Sequence, residues 1–343
     1  MKGSVAVLGR LAGREAAALV IDGLLEELLL DAGETAPETI WRGKVGRPVK
    51  GLGGVFVELP DGRRGFLRQA KGLRPGQSLL VQAAGVAEPG KAVPLTDRPL
   101  FKGRLAILTP GAPGLNLSRS LRDEAERARL AAIAGAAMAG APEGLGAILR
   151  SAAEGAEAEV LAGEIAALRR AAEAILAEAA GPPELLLDAP GPHDLARRDW
   201  PAPDSVAEGP DALAEHGVEE MVEALLRPEV PLGGGAFMVV ELTRALVAVD
   251  VNTGPDTSPA AGLKANLAAV RALPRALRLR GLGGQVTVDL APSPKRDRGT
   301  IEQALRAAFR RDGSEAVLAG WTPLGHYELQ RRRDRPPLAE LIG

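Results

Sequence analysis

Cysteine is missing altogether, which excludes disulfide bonds, thiolate nucleophiles and every cysteine-ligated metal centre. Histidine is almost as scarce. His193, His216 and His326 are the full set, two of them in a proline-rich connection, and no GxSxG elbow accompanies them, so a Ser-His-Asp triad has little to be built from. A GxxxxGK[ST] phosphate loop is absent, and RGLGGQ precedes a strand where a dinucleotide-binding turn must follow one. With one Tyr, five Phe and three Trp, stacking platforms are rare and the position of each carries information. No run of about 18 uncharged apolar residues occurs, and the N-terminus lacks the charged head, apolar stretch and cleavage site of a secretion signal. A cytoplasmic location with no membrane contact is therefore expected. The net charge of −2 favours no partner through the field of the whole molecule, so local clusters must decide.

What is present is enough chain and apolar content, 343 residues with 46% hydrophobic, for two or more domains. Residues 236–292 organise it. AFMVVELTRALVAVDVNTG reads as a strand, the segment ending RALRLRGLGG as a crossover helix, and QVTVDLAP as a second strand. Both strands end in aspartate. Parallel pairing of such a unit sets Asp250 and Asp289 side by side at the carboxyl edge, about 4.8 Å apart, close enough to share one hard cation. Asn252 points to the same side and adds a neutral amide. Basic runs at 295–298, 310–311 and 331–335 complete a pattern that suits hydrolysis of a phosphodiester with Mg²⁺. The alternative is that the aspartates cap loops and the cations form a solvated face. His326 reads as structural.

Elsewhere the texture changes along the chain. Residues 1–35 hold short apolar runs that read as strands, or as a strand with a short helix. From Trp41 to about Asp97, five short strand-like runs with glycines at the bends predict a small OB-type barrel. Within it, Phe56 and Phe66 fall on adjacent strands of a hairpin, with Lys44, Lys50, Arg63, Arg64, Arg68 and Lys91 around them. Aromatics interleaved with cations hold single-stranded nucleic acid by stacking and phosphate pairing, although most Phe residues are buried and this stretch alone favours a barrel core for both rings. ILRSA reads as a strand end that sets Arg150 beside the hydroxyl of Ser151, able to hold a phosphate or simply to face solvent. A long helix follows over 156–180, then a proline-rich connection over 181–217 with one short strand at ELLLD, and a helix at VEEMVEALL.

The core VVELTRALVAVDVNTG, followed by LKANLAAVRALPRALRLRGLGGQVTVDL, resembles the catalytic region of the ribonuclease E/G family, whose pattern runs TEALxAIDINSG, TNLEA and RQLRLRDLGGxIVIDF. The resemblance extends through RGKV…GVFVEL…RGFL and GKAVPLT, similar to the family's S1-type RNA-binding barrel, through ILRSA, similar to its LVRTA element, and through GHYELQRRR, similar to GLLEMSRQR. It implies an α/β (α+β multi-subdomain) fold with a DNase I-like/RNase H-like catalytic core and an inserted OB-type (S1-like) barrel. The implied boundaries are 1–36 and 185–232 for a split RNase H-like subdomain, 37–100 for the barrel, 101–184 for a 5′-sensor-like subdomain and 233–343 for the DNase I-like part. By the same resemblance Asp250 and Asp289 are the magnesium ligands, with Mn²⁺ an alternative, and Asn252 positions them. Phe56, Phe66 and Lys91 contact RNA, while Arg150 and Ser151 bind a 5′-phosphate. The implied activity is Mg²⁺-dependent cleavage of single-stranded RNA in RNA processing or decay.

Departures from the pattern temper these expectations. Pro292 stands where the family carries a further acid, TNLE has become ANLA, and Pro274 implies a kink in the crossover helix. The family's CPxCxG zinc link and small C-terminal domain have no counterpart within these 343 residues. A protein without zinc, monomeric or weakly dimeric rather than a zinc-linked dimer, is the expectation. An RNA-binding protein of the same fold whose cleavage has decayed is the alternative; a hydrolase of small phosphoesters leaves the barrel and its aromatics without a purpose.

Overall fold

Alternation of apolar and polar residues decides the layout. In VAVDVN the valines Val247, Val249 and Val251 are buried while Asp250 is exposed, and in GQVTVD the same holds for Val286 and Val288 against Asp289. Each fully buried valine contributes about 1.5 kcal/mol or more, and a one-residue slip would send the aspartates into the core. The computed structural model describes residues 3–343 apart from 50, 69, 70, 89 and 259. It divides into two compact units, Gly33–Ala202 and Met1–Ala32 with Pro203–Gly343.

The unit Gly33–Ala202 is built on a closed five-stranded barrel. Ile40–Val49 pairs with Gly54–Glu58, which pairs with Arg64–Arg68; the third runs parallel to Val93–Thr96, which pairs with Ser78–Ala83, and that strand closes the ring on Ile40–Val49. All five runs expected from the sequence form strands, in an arrangement consistent with an OB-like barrel. Trp41, Val45, Val55, Val57, Leu67 and Val81 fill it. Glu184–Leu187 adds to the outside of Ile40–Val49. There the buried Arg42 donates to the carbonyls of Glu178 and Pro182 at 2.8 and 2.7 Å. A second, four-stranded sheet with Leu145–Leu149 near its centre packs against helices Glu124–Ala137 and Ala158–Ala177 through Leu130, Ala134, Leu161 and Ile165.

In the other unit, residues 4–30 form an antiparallel meander of three strands with no helix, and Ser205–Glu208 joins it parallel to Ser4–Leu11. The six-stranded sheet holds the candidate chemistry. Residues 236–252 are not one strand but a hairpin, Ala236–Leu242 and Val247–Asn252, because Thr243 accepts from the amides of Ala245 and Leu246 and turns the chain. Val247–Asn252 then runs parallel to Gly284–Asp289 across the helix Ala261–Leu279. That helix continues unbroken through Pro274, where the sequence implies a kink; the proline is buried on a face shared with Val270, Leu273 and Leu277. Tyr327–Arg331 and Ala316–Trp321 complete the far side. No helix among the described residues is long and apolar enough to cross a membrane.

Candidate functional site

Asp250 and Asp289 are direct register partners on neighbouring parallel strands. Both are exposed at the end of the sheet. The Asn252 amide donates to Asp250 Oδ2 at 2.8 Å, so the residue two positions on fixes one rotamer of the carboxylate. The pairing expected from the sequence is therefore present.

Two groups that the sequence reading passed over shape this edge. Asn266, buried within the helix Ala261–Leu279, donates to the carbonyl of Ala291 and accepts from its amide, both at 2.9 Å. It clamps the loop that follows Asp289. One turn earlier Gly262 allows the same loop to lie against the helix, since a Cβ there would meet the Pro292 carbonyl at 2.0 Å. The signal was a polar residue at a core position of an otherwise apolar helix face. His326, read as structural, instead sits with Nε2 3.6 Å from Asp289 Oδ1. The antiparallel register Val288 to Tyr327 carries His326 across from Asp289, which only strand pairing could reveal.

The basic runs are less concentrated than the sequence implies. Arg331 is buried and held by the Leu282 carbonyl and Asp334, Arg332 pairs with Glu315, and Arg335 pairs with Glu27. Arg331 serves the packing of the unit, while the Arg332–Glu315 pair lies on its surface. Arg298 lies 4.6 Å from the Trp321 ring, while Lys295 and Arg296 remain exposed in the turn beyond Asp289.

On the barrel, Phe56 and Phe66 are cross-strand partners whose rings meet edge to face at 5.4 Å. Both are half-buried and neither belongs to the barrel's buried core, which takes Val55, Val57 and Leu67 from the opposite side of the same strands. Both rings thus lie outside that buried core. Gly54 makes room for the pair, since a Cβ there would meet Phe66 Cζ at 2.7 Å. Arg64 and Arg68 alternate with Phe66 on the outward face. Arg63 is paired with Glu34. Lys91 lies in the turn before Val93–Thr96, where its ammonium is 2.6 Å from Glu88. Lys50, also expected near the rings, lies outside the described residues.

Arg150 ends the strand Leu145–Leu149, and Ser151 opens a short 3₁₀ turn. The Arg150 guanidinium donates to the Gly103 carbonyl at 2.7 Å and to Asp199 at 2.8 Å. Asp199 also takes Arg198, which grips Glu38 with two hydrogen bonds of 2.7 and 2.9 Å, and Glu38 takes Lys102 at 3.0 Å. Burial alone would raise the Glu38 carboxyl, but the hydrogen bonds and charge of Arg198, then Lys102, hold it below its ordinary value. Burial likewise opposes ionisation of Asp199, and Arg198 and then Arg150 outweigh it and lower it.

A mixed α/β chain with a closed OB-like barrel bearing outward aromatics and a sheet edge bearing two aspartates in register is the class that fold and geometry define. The chain belongs to the ribonuclease E/G family, whose profile matches residues 101–207 and 203–334. It is 28% identical over 384 residues to ribonuclease E of Nostoc sp. (strain PCC 7120 / SAG 25.82 / UTEX 2576), covering 95% of this chain and 56% of that protein. To ribonuclease E of Escherichia coli (strain K12) it is 27% identical over 368 residues, 90% of this chain and 34% of the relative. Against ribonuclease G of Salmonella typhimurium (strain SL1344) the figures are 25% over 393 residues, 95% and 79%. The chain thus spans between a third and just over half of these two ribonuclease E relatives.

Proposed function

We propose that the chain is a Mg²⁺-dependent endoribonuclease acting on single-stranded RNA in RNA processing or decay, in the cytoplasm. The observation that carries this reading is the register of Asp250 with Asp289 beside the Asn252 amide. Among the described residues no group of three or more His, Cys, Asp or Glu side chains is placed to hold a metal. Two exposed carboxylates with no Lys or Arg paired to them among the described residues still suit a hard divalent ion that keeps several waters, as Mg²⁺ does; Mn²⁺ would fit the same oxygens. When bound, such an ion supplies Lewis acidity toward water and the phosphate. The chain's own contributions are to fix the Asp250 carboxylate through Asn252, to hold the loop after Asp289 through Asn266, and to grip the strand. Phe56 and Phe66 would stack on bases, Lys91 would pair with a phosphate, and Arg150 with Ser151 would receive a 5′-phosphate.

In this reading residues 1–36 and 185–232 make a split RNase H-like subdomain, 37–100 the S1-like barrel, 101–184 the 5′-sensor-like subdomain and 233–343 a DNase I-like part. With no thiolate in the sequence these residues work without zinc, as a monomer or weak dimer. One observation favours a second reading, an RNA-binding protein that no longer cleaves: Pro292 occupies the place of an acid in the family pattern. The test is incubation of an end-labelled single-stranded RNA with Mg²⁺ and with a chelator. Mg²⁺-dependent internal cleavage supports the enzyme; tight binding with no cleavage selects the second reading.

A further inference from the structure

We propose that His326 is a positioning residue for Asp289, holding that carboxylate from the neighbouring strand as Asn252 holds Asp250 from its own. The proposal rests on the metal-binding reading of the two aspartates. Three observations support it. First, His326 Nε2 stands 3.6 Å from Asp289 Oδ1, a side-chain approach to that carboxylate from across the sheet edge. The separation is longer than a hydrogen bond, and contacts of this kind tighten when ligands fill a site. Second, the backbone of His326 is pinned at both polar atoms, with its amide donating to Thr322 Oγ1 at 3.1 Å and its carbonyl accepting from Thr322 N at 2.8 Å. A histidine at a loose turn tip would not be fixed in this way. Third, two departures from the family pattern fall on the two sides of Asp289. Pro292 replaces an acid on the following loop, which Asn266 holds through the Ala291 backbone and, at 3.4 Å, the Ser293 hydroxyl, and His326 replaces the first Leu of GLLEMSRQR.

The physical role follows from the geometry. An exposed carboxylate on a strand end has two oxygens and free rotation about χ2, and sharing a cation with Asp250 requires one orientation. An imidazole N–H that engages Oδ1 leaves Oδ2 free for the shared cation. Partners that orient a metal-bound side chain are worth about 10- to 100-fold in metal affinity or activity. The neutral imidazole suffices, so no change of charge is invoked.

The experiment uses the full chain without RNA first. Mn²⁺ binding is titrated by electron paramagnetic resonance for wild type, His326→Leu, His326→Gln and Asp289→Asn, with melting curves to confirm folding. His326→Leu should weaken Mn²⁺ by about 10-fold or more, while His326→Gln, which keeps an N–H donor, should recover most of the loss. In cleavage assays at saturating RNA, His326→Leu should lower kcat with an unchanged Kd for RNA, and its effect should vanish in the Asp289→Asn background. In the metal-free protein, the ring nitrogen signals of His326 should shift on Asp289→Asn. Wild-type Mn²⁺ affinity in a folded His326→Leu protein, or a loss in RNA Kd with intact Mn²⁺ binding, overturns the proposal. If Asp289→Asn itself cleaves normally, the metal-site reading fails instead, and the two failures are distinct.

Discussion

At the sheet edge, Asp250 and Asp289 stand in register with an amide bonded to one and an imidazole near the other; around Arg150, three cations and two carboxylates already satisfy one another. Among the described residues no Lys or Arg pairs with either aspartate of the edge. The two aspartates and Arg150 were legible as charged residues at strand ends, whereas the carboxylates around Arg150 were not, and one constellation concentrates like charge while the other neutralises it. Two exposed carboxylates at adjacent strand positions repel by on the order of 1 kcal/mol, a cost that an external cation would reverse. The Glu38–Arg198–Asp199–Arg150 chain is stabilised by its own pairing and needs no added ion. The edge thus leaves charge for a cation to meet, whereas the paired chain around Arg150 stabilises its own unit.

The largest effect should come from neutralising the edge. Asp250→Asn or Asp289→Asn should lower cleavage of single-stranded RNA by roughly 10³-fold, about 4 kcal/mol of transition-state stabilisation. Because repulsion is relieved, the melting temperature should hold or rise, and RNA binding should persist. Near-normal turnover in either variant would end the assignment, and a sharp drop in melting temperature would show that the edge is structural after all.

Glu38→Gln is the opposite case. Breaking a mostly buried ion pair, which leaves Lys102 without its carboxylate and Arg198 with Asp199 as its remaining partner, should destabilise the Gly33–Ala202 unit by about 2–3 kcal/mol. The sign with pH is fixed by the lowered carboxyls of Glu38 and Asp199. Their stabilisation is complete above their ordinary values of 4.5 and 3.8 and is lost as pH falls through the depressed ones. Urea melts between neutral pH and pH 3 should show acid loss in wild type and a flatter profile in Glu38→Gln; parallel profiles would refute the role given to Glu38.

These contrasts also say what a one-dimensional reading can see. Valine alternation revealed the two strands that carry Asp250 and Asp289, and glycine-punctuated short runs revealed all five barrel strands, because period-2 burial is written locally. The Thr243 turn that makes a hairpin of residues 236–252 was missed, since an apolar run continues across it and TRAL carries no Gly or Pro. His326 and Asp199 were invisible as partners because each reaches its contact through tertiary pairing, 37 and 49 residues away in sequence from Asp289 and Arg150. The run at 331–335 misled for the same reason: charge on paper became a buried Arg331 and ion pairs within the unit.

A smaller effect should follow on the barrel. Phe56→Ala or Phe66→Ala removes a ring that lies outside the core, so stability should change little while the Kd for single-stranded RNA rises. At about 2 kcal/mol per stacked base the rise is roughly 30-fold. Equilibrium binding and melting of the same variants check this together: a large fall in melting temperature with unchanged affinity would return the rings to a packing role.

The smallest effect is expected at Arg150. Its guanidinium is held by Asp199 at 2.8 Å and by the Gly103 carbonyl at 2.7 Å, so a 5′-monophosphate entering beside Ser151 must displace a carboxylate that is already bonded. Exchange of one anion for another on the same cation yields only the difference between two similar charge-assisted bonds. Wild-type protein should therefore prefer a 5′-monophosphorylated RNA over its 5′-hydroxyl counterpart by less than about threefold in initial rate, under 1 kcal/mol. Asp199→Asn frees the guanidinium and should enlarge that preference, whereas Arg150→Ala should abolish what there is. Rates on one RNA carrying each 5′ end, measured for the three proteins, decide the matter. A wild-type preference of about tenfold or more, lost in Arg150→Ala and unchanged in Asp199→Asn, would mean that Asp199 does not compete for the pocket and that paired charge is no guide to an idle site.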